Sequence, residues 1–253
     1  MPVILAARSL SIPTLIHESN ARPGIANRLL SRVANRTAVG IEAANRLFPR
    51  PGAATGNPVR PEFFAVPPPE EKARPRRLLA FGGSQGSTAL NRALVEAAPG
   101  LAAAGLQVVH QTGEKWLDSV RAAYGVPPAG IRLEPFLPRL HEELAWCDLA
   151  VCRAGALTVA ELAAAGRPAV LVPLATSTHG HQIENARAYA QAGAAVVLEE
   201  KDLSGPRLAD AVTGLLADPE RLARMSSAAR RLARPDAAAR LCELVFEIER
   251  GPA

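Results

Sequence analysis

Arg77-Leu78-Leu79-Ala80-Phe81-Gly82-Gly83-Ser84-Gln85-Gly86-Ser87-Thr88 is the stretch that decides the fold. It opens with a short, nearly continuous apolar run that stops at paired glycines, the mark of a strand covered on both faces. Residues 88–103 then carry apolar positions at helical spacing. Strand, glycine turn and helix in that order form the first half of a βαβ unit, and such units build parallel sheets.

The same rhythm continues in both directions. Apolar runs at 14–17, 37–41, 107–111, 131–134, 149–152, 169–172 and 195–198 read as further strands. Amphipathic stretches at 25–34, 115–124, 139–145, 157–165, 181–192, 208–216, 219–232 and 237–249 read as helices. The expected class is α/β with a doubly wound parallel sheet. No internal repeat is present. Residues 56–77 break the rhythm with Pro58, Pro61, Pro67, Pro68, Pro69 and Pro75, and read as a stiff linker. It sets residues 1–60 apart from a full α/β unit. Residues 3–10 read as an apolar helix that belongs against a sheet, yet only one or two strands precede the linker. Two strands are not independently stable. The expectation is that a partner chain, or further N-terminal sequence, completes this piece.

The chain has 253 residues, 48% hydrophobic and 21% charged, which excludes a mostly disordered protein. Aromatics are only 4%, and no basic stretch interleaves with them, so nucleic-acid binding has no support. The net charge of +5 comes largely from arginine, as in Arg74, Arg76, Arg77 and the set from Arg221 to Arg240. Solvated helix faces or attraction to an anionic surface both account for it. Cys147, Cys152 and Cys242 form no closed disulfide framework and read as reduced thiols. No apolar run reaches 18 residues. The first ten residues lack a basic region of the kind that opens a signal peptide.

Three strand-end loops carry the chemistry. Gly82-Gly83-Ser84-Gln85-Gly86-Ser87 is neither a Walker A loop nor G-x-G-x-x-G. It reads as an anion cradle at a helix N-terminus, or as a tight turn capped by Ser84 or Ser87. Cys152-Arg153-Ala154-Gly155-Ala156-Leu157-Thr158-Val159-Ala160-Glu161 is a second strand, turn and helix. Thr158 and Glu161 share a helix face, where Thr158 suits a phosphate and Glu161 a ribose diol; Thr-x-x-Glu is equally a capping box. Thr178-His179-Gly180-His181-Gln182-Ile183-Glu184-Asn185 opens a third helix. Its histidines lack companions at metal-ligand spacing, and no metal site is expected. Gln182 and Asn185, three apart, suit sugar hydroxyls. Together the loops suggest one crevice able to hold a nucleotide-sugar without metal or cofactor.

With His17-Glu18-Ser19-Asn20 and Gly56-Asn57-Pro58-Val59-Arg60 these motifs form an ordered set, and His181-Gln182-x-x-Asn185-Ala186 completes it. The set resembles the MurG family of peptidoglycan N-acetylglucosaminyltransferases over essentially the whole chain. The resemblance implies a GT-B architecture, two Rossmann-like domains around a cleft. It implies transfer of N-acetylglucosamine from UDP-GlcNAc to lipid I, undecaprenyl-diphosphate-linked muramyl-pentapeptide, with inversion, without metal, giving lipid II. It implies a cytoplasmic protein held peripherally on the membrane.

Carried over by motif, Gly82, Gly83, Gln85 and Gly86 form the phosphate loop, and Ser84 and Thr158 sit near the diphosphate. Glu161 holds the ribose within the run Ala156, Leu157, Thr158, Val159, Ala160. The backbone at Leu137 faces the uracil, Gln182 reads the sugar hydroxyls, and Asn20 and Arg60 reach the donor from across the cleft. The implied domains are 1–60, the end of the acceptor domain; 61–234, the donor domain; and 235–253, a helix returning to the first. The family's Gly-Gly-Thr-Gly-Gly-His and Gly-Gly-Tyr-x-Ser loops are absent, and His181 replaces the first glutamine of a Gln-Gln pair. The expectation is of an N-terminally shortened chain whose catalytic base lies outside it; His17 is a remote candidate. A donor-binding subunit of a split transferase, or a non-catalytic UDP-sugar-binding module, are the alternatives.

Overall fold

The computed structural model describes residues 2–69, 76–177 and 180–250. Arg74, Pro75, Thr178 and His179 of the motifs above lie outside them. The chain runs α1 (Pro2–Ser9), β1 (Leu15–Glu18), α2 (Ile25–Leu30), β2 (Arg36–Val39), β3 (Ala53–Ala54) and α3 (Pro61–Phe64). It continues β4 (Arg77–Phe81), α4 (Thr88–Ala103), β5 (Gln107–Gln111), α5 (Leu117–Tyr124), β6 (Ile131–Glu134), α6 (Leu140–Trp146), β7 (Leu149–Cys152) and α7 (Ala156–Ala165). It closes with β8 (Ala169–Leu171), α8 (His181–Gln191), β9 (Ala195–Val197), α9 (Gly205–Leu216), α10 (Pro219–Leu232) and α11 (Ala237–Arg250).

Two parallel sheets result, β1-β2-β3 and β6-β5-β4-β7-β8-β9. In the larger, alternate residues of each strand feed two separate cores. Leu79, Phe81, Ala150, Cys152, Ala169 and Leu171 enter one, under α7 and α8. Leu78, Ala80, Leu149, Val151 and Val170 enter the other, under α4 and α9. Both faces are therefore apolar, which is why these strands read as continuous runs rather than alternating ones. The order runs outward from β4 to β6, then returns to β7 on the other side of β4 and runs to β9. The switch point lies between β4 and β7, and open α/β sheets bind ligands beyond the carboxyl ends of strands at such a point.

Three corrections concern the first part. β3 adds a third strand to the small sheet, pairing Ala38 with Ala53 and Val39 with Ala54. The proline-rich segment is not a free linker throughout: α3 sits in it, Phe63 is fully buried and Val66 nearly so. Both belong to the core under α7. Its carbonyls are gripped from below, Pro67 O by Arg167 Nη2 at 2.8 Å and Val66 O by Arg230 Nη2. Arg167, itself fully buried, also donates to Leu144 O at the end of α6. And α1, expected against a sheet, buries none of its residues; Val3 is 77% exposed. At the other end of the chain α11 lies along β2, with Arg240 Nη1 donating to Ala54 O at 3.4 Å.

Candidate active site

The first loop is held by its neighbours. Gln111, the last residue of β5, accepts from Gly82 N at 3.0 Å and donates to Gly83 O and Pro135 O, both at 3.1 Å. A Cβ on Gly82 would stand 2.5 Å from Ser87 N. Gly86 has φ +68°, and its Cβ would stand 2.1 Å from Thr112 O, so only glycine fits. Ser87 is the N-cap of α4 and accepts from Leu90 N at 3.3 Å. Ser84 is not a cap; it stands exposed with Gly83 and Gln85 at the tip.

Beneath the loop lies a buried polar chain. Asn91 Nδ2 donates to Thr112 O at 3.0 Å, which leaves its Oδ1 to accept from His110 Nε2 at 3.0 Å. His110 Nδ1 then accepts from the Tyr124 hydroxyl at 3.1 Å. This assigns one neutral tautomer. Burial lowers the His110 pKa to about 4 and raises that of Tyr124 beyond its ordinary range.

The second loop is built otherwise. Gly155 is the N-cap of α7 and supplies no side chain, so the capping-box reading of Thr158 fails: Thr158 lies inside the first turn. Val159 N is spent on Gly155 O at 3.0 Å. The N–H groups of Ala156, Leu157 and Thr158 face no acceptor among the described residues. Thr158 and Glu161 are half-buried on the same face, and Leu157 is 56% exposed. Burial raises the Glu161 pKa, and the Arg60 guanidinium across the crevice opposes the rise. Glu161 makes no hydrogen bond among the described residues. Arg60, exposed, lies 5.2 Å over the Phe63 ring. Val159 turns into the core and supports the wall rather than presenting itself, while Ala160 stays half-buried.

In the third loop, Gln182 Oε1 accepts from Leu174 N at 2.9 Å, which leaves both Nε2–H groups without an acceptor among the described residues. Leu137 packs half-buried at the end of the segment after β6, beside exposed Phe136. Asn185 is not a sugar contact: it is fully buried and spent on the protein. Arg153, in the same motif as Glu161, is turned away into an ion pair with Glu200 at 2.8 Å.

From the small sheet comes Asn20, on a loop organised by Glu18. Glu18 is 3% exposed and accepts from Asn20 N, Asn20 Nδ2, Gly24 N and Asn27 Nδ2 at 2.9–3.0 Å. Burial raises its pKa, but these donors outweigh burial and the net shift is downward. His17, the remote base candidate, has Nε2 on Gly56 O at 3.2 Å, tying β1 to the chain after β3. Among the described residues no group of three or more His, Cys, Asp or Glu side chains is placed to hold a metal, and no helix is long and apolar enough to cross a membrane. A space of about 260 Å³ lies between Ile41, Val59, Ala163 and Tyr189; Val159 and Ala160 of the second motif and Asn185 of the third line it, but no glycine-loop residue, Thr158, Glu161 or Gln182 does.

So two helix N-termini flank the switch point, and Glu161, Gln182, Asn20 and Arg60 lie on the loops and helix starts around it. The sequence profile of the glycosyltransferase family 28 C-terminal domain matches residues 77–241, and that of the family's N-terminal domain matches residues 1–39. The chain belongs to glycosyltransferase family 28. Within this family it is 45% identical, over 97% of its length, to a Nitratidesulfovibrio vulgaris protein of which it covers 68%. It is 45% identical to an Alkalilimnicola ehrlichii protein, covering 97% of this chain and 70% of that one. Both are named UDP-N-acetylglucosamine–N-acetylmuramyl-(pentapeptide) pyrophosphoryl-undecaprenol N-acetylglucosamine transferase. The crystal structure of Acinetobacter baumannii MurG superposes with a TM-score of 0.85 at 33% identity, over 97% of this chain and 70% of that one. The family 28 fold thus accounts for the sheet order and for the loops gathered at its switch point.

Sequence reasoning missed Gln111 and Glu18, the two residues that shape the loops. Gln111 bonds to backbone alone and Glu18 for half of its bonds, and backbone partners leave no spacing signal in a sequence.

Proposed function

We propose that this crevice binds UDP-N-acetylglucosamine and that the chain serves transfer of its sugar to lipid I, giving lipid II. The observation that carries the reading is α7: a helix start without a side-chain cap and, one turn on, a half-buried carboxylate that makes no hydrogen bond among the described residues. Unpaired N–H groups and the helix dipole suit a diphosphate. Glu161 accepts two hydrogen bonds from a ribose diol, which offsets the cost of burying its charge. Ser84 and Thr158 add hydroxyl donors at the phosphates, the backbone at Leu137 meets the base, and Gln182 and Asn20 meet the sugar.

The reaction is a displacement at the anomeric carbon. The bond from C1 to the acceptor hydroxyl oxygen forms as the bond from C1 to the β-phosphate oxygen breaks, with inversion. The hydroxyl proton passes to a general base that this chain does not supply from His17, since that ring holds Gly56. Negative charge grows on the departing UDP, where the N–H groups of Ala156, Leu157 and Thr158 stabilise it without metal. The lipid tail of the acceptor places the reaction at the membrane's cytoplasmic face, with the protein bound peripherally. Residues 1–60, 61–234 and 235–253 are the proposed acceptor-side, donor and returning segments; α11 along β2 supports the last.

A thermal melt with UDP-GlcNAc, UDP-glucose and UDP tests the donor reading. Ligand at a hundredfold over its dissociation constant adds about 2.7 kcal/mol to native stability. UDP-GlcNAc is expected to raise the midpoint more than UDP-glucose. A cooperative melt that none of the three moves refutes the donor site.

A further inference from the structure

We infer that Asn185 is a positioning residue that fixes Asn20 with its amide donor turned toward the ligand. The inference rests on the donor reading of Asn20. Asn185 Oδ1 accepts from Ala21 N at 2.8 Å, and its Nδ2 donates to Asn20 Oδ1 and to Ala154 O, both at 3.1 Å. Both N–H donors of the amide are used and its oxygen accepts one bond, and the side chain is fully buried. The bonds join three elements: Asn20 and Ala21 follow β1, Ala154 precedes α7, and Asn185 itself is on α8. One side chain therefore pins the Asn20 loop to the start of the helix that presents Thr158 and Glu161.

The bonds also settle which way Asn20 faces. Its Oδ1 is taken by Asn185 and one Nδ2–H by Glu18 Oε1 at 3.0 Å. One N–H remains. Asn20 thus keeps one free N–H for a ligand while its Oδ1 is turned to Asn185, and the group that N–H meets presents a lone pair, as a sugar hydroxyl or an acetamido carbonyl does. Gln182 is locked in the same sense by Leu174 N. Two amides facing outward as donors, opposite an accepting Glu161, divide the crevice by hydrogen-bond polarity. Discrimination of the sugar then depends on Asn185, a residue that touches no ligand.

The test uses the whole chain and two readouts. In ligand-free protein, Asn185→Ala is expected to speed exchange of the Ala21 backbone amide about tenfold or more, because its acceptor is gone. By calorimetry the same variant is expected to bind UDP-GlcNAc about tenfold more weakly while UDP binding changes less than about twofold. Asn20→Ala is expected to show the same loss, and the double variant no more than either single one. Unchanged Ala21 exchange, or losses that multiply in the double variant, overturns the inference. If Asn185→Ala does not fold, Asn20→Asp decides: it keeps the acceptor for Asn185 but has no outward N–H, and wild-type affinity for UDP-GlcNAc in that variant overturns the inference. Failure of the donor reading shows separately, as wild-type protein that binds no UDP-GlcNAc while Ala21 exchange still responds to Asn185.

Discussion

Helices α4 and α7 start on adjacent strands at the same end of the sheet, and they are finished differently. The start of α4 is completed by protein: Ser87 caps it, Gln111 holds its loop, Gly86 presses on Thr112 O, and the chain through Asn91, His110 and Tyr124 lies beneath. The start of α7 has a glycine cap and three N–H groups that face no acceptor among the described residues. A finished end contributes stability, and an unfinished one leaves its hydrogen bonds to a ligand. The contrast separates residues whose loss unfolds the molecule from residues whose loss weakens binding.

Gly86→Ala is the heaviest blow to the finished side. The new Cβ meets a backbone oxygen at 2.1 Å and φ is +68°, so the loop must move. Loss of about 4 kcal/mol or more in urea unfolding is expected.

His110 gives the next largest effect, through pH. Its folded pKa is about 4 against an ordinary 6.5. Between these values the unfolded chain binds a proton that the native ring refuses, so stability is full above pH 6.5 and falls as pH drops toward 4. The loss amounts to about 3 kcal/mol. Urea midpoints from pH 7 to 4 check it, with His110→Gln expected to flatten the curve.

On the unfinished side the sign of the effect changes. Glu161→Gln is expected to weaken UDP-GlcNAc binding about 10–100-fold by calorimetry. The melting midpoint should hold or rise, since a half-buried carboxylate that makes no hydrogen bond among the described residues is neutralised.

The smallest expected effects exchange the two caps. Ser87→Ala should cost about 1 kcal/mol of stability with donor affinity unchanged. Gly155→Ser should gain a few tenths of a kcal/mol and weaken donor binding, because the new hydroxyl claims the N–H of Leu157 or Thr158. If both substitutions moved stability and binding alike, the contrast between the helix starts would collapse.

Much of the larger sheet is legible in the sequence. Runs such as 77–81, 107–111 and 149–152 are apolar because both faces are covered, and their boundaries coincide with β4, β5 and β7. β3 was not legible: two alanines between glycine and threonine carry no pattern. Phe63 was masked by its prolines, although a Phe-Phe pair in a supposed linker was a signal that something buries it. The site loops could be found by their glycines. Their internal bonding could not, because Asn185 and Asn20 look alike until the structure shows that one is spent and the other keeps a free donor.

Arg167 and Arg230 grip the segment between the two sheets through guanidinium groups on backbone carbonyls. The acceptors are backbone carbonyls, which carry no proton to gain or lose. The joint is therefore held on acceptors that pH does not alter, while the floor of the glycine loop contains an imidazole. Acid strikes the loop and spares the joint, so the two sheets stay tethered at α7 while the phosphate side loosens.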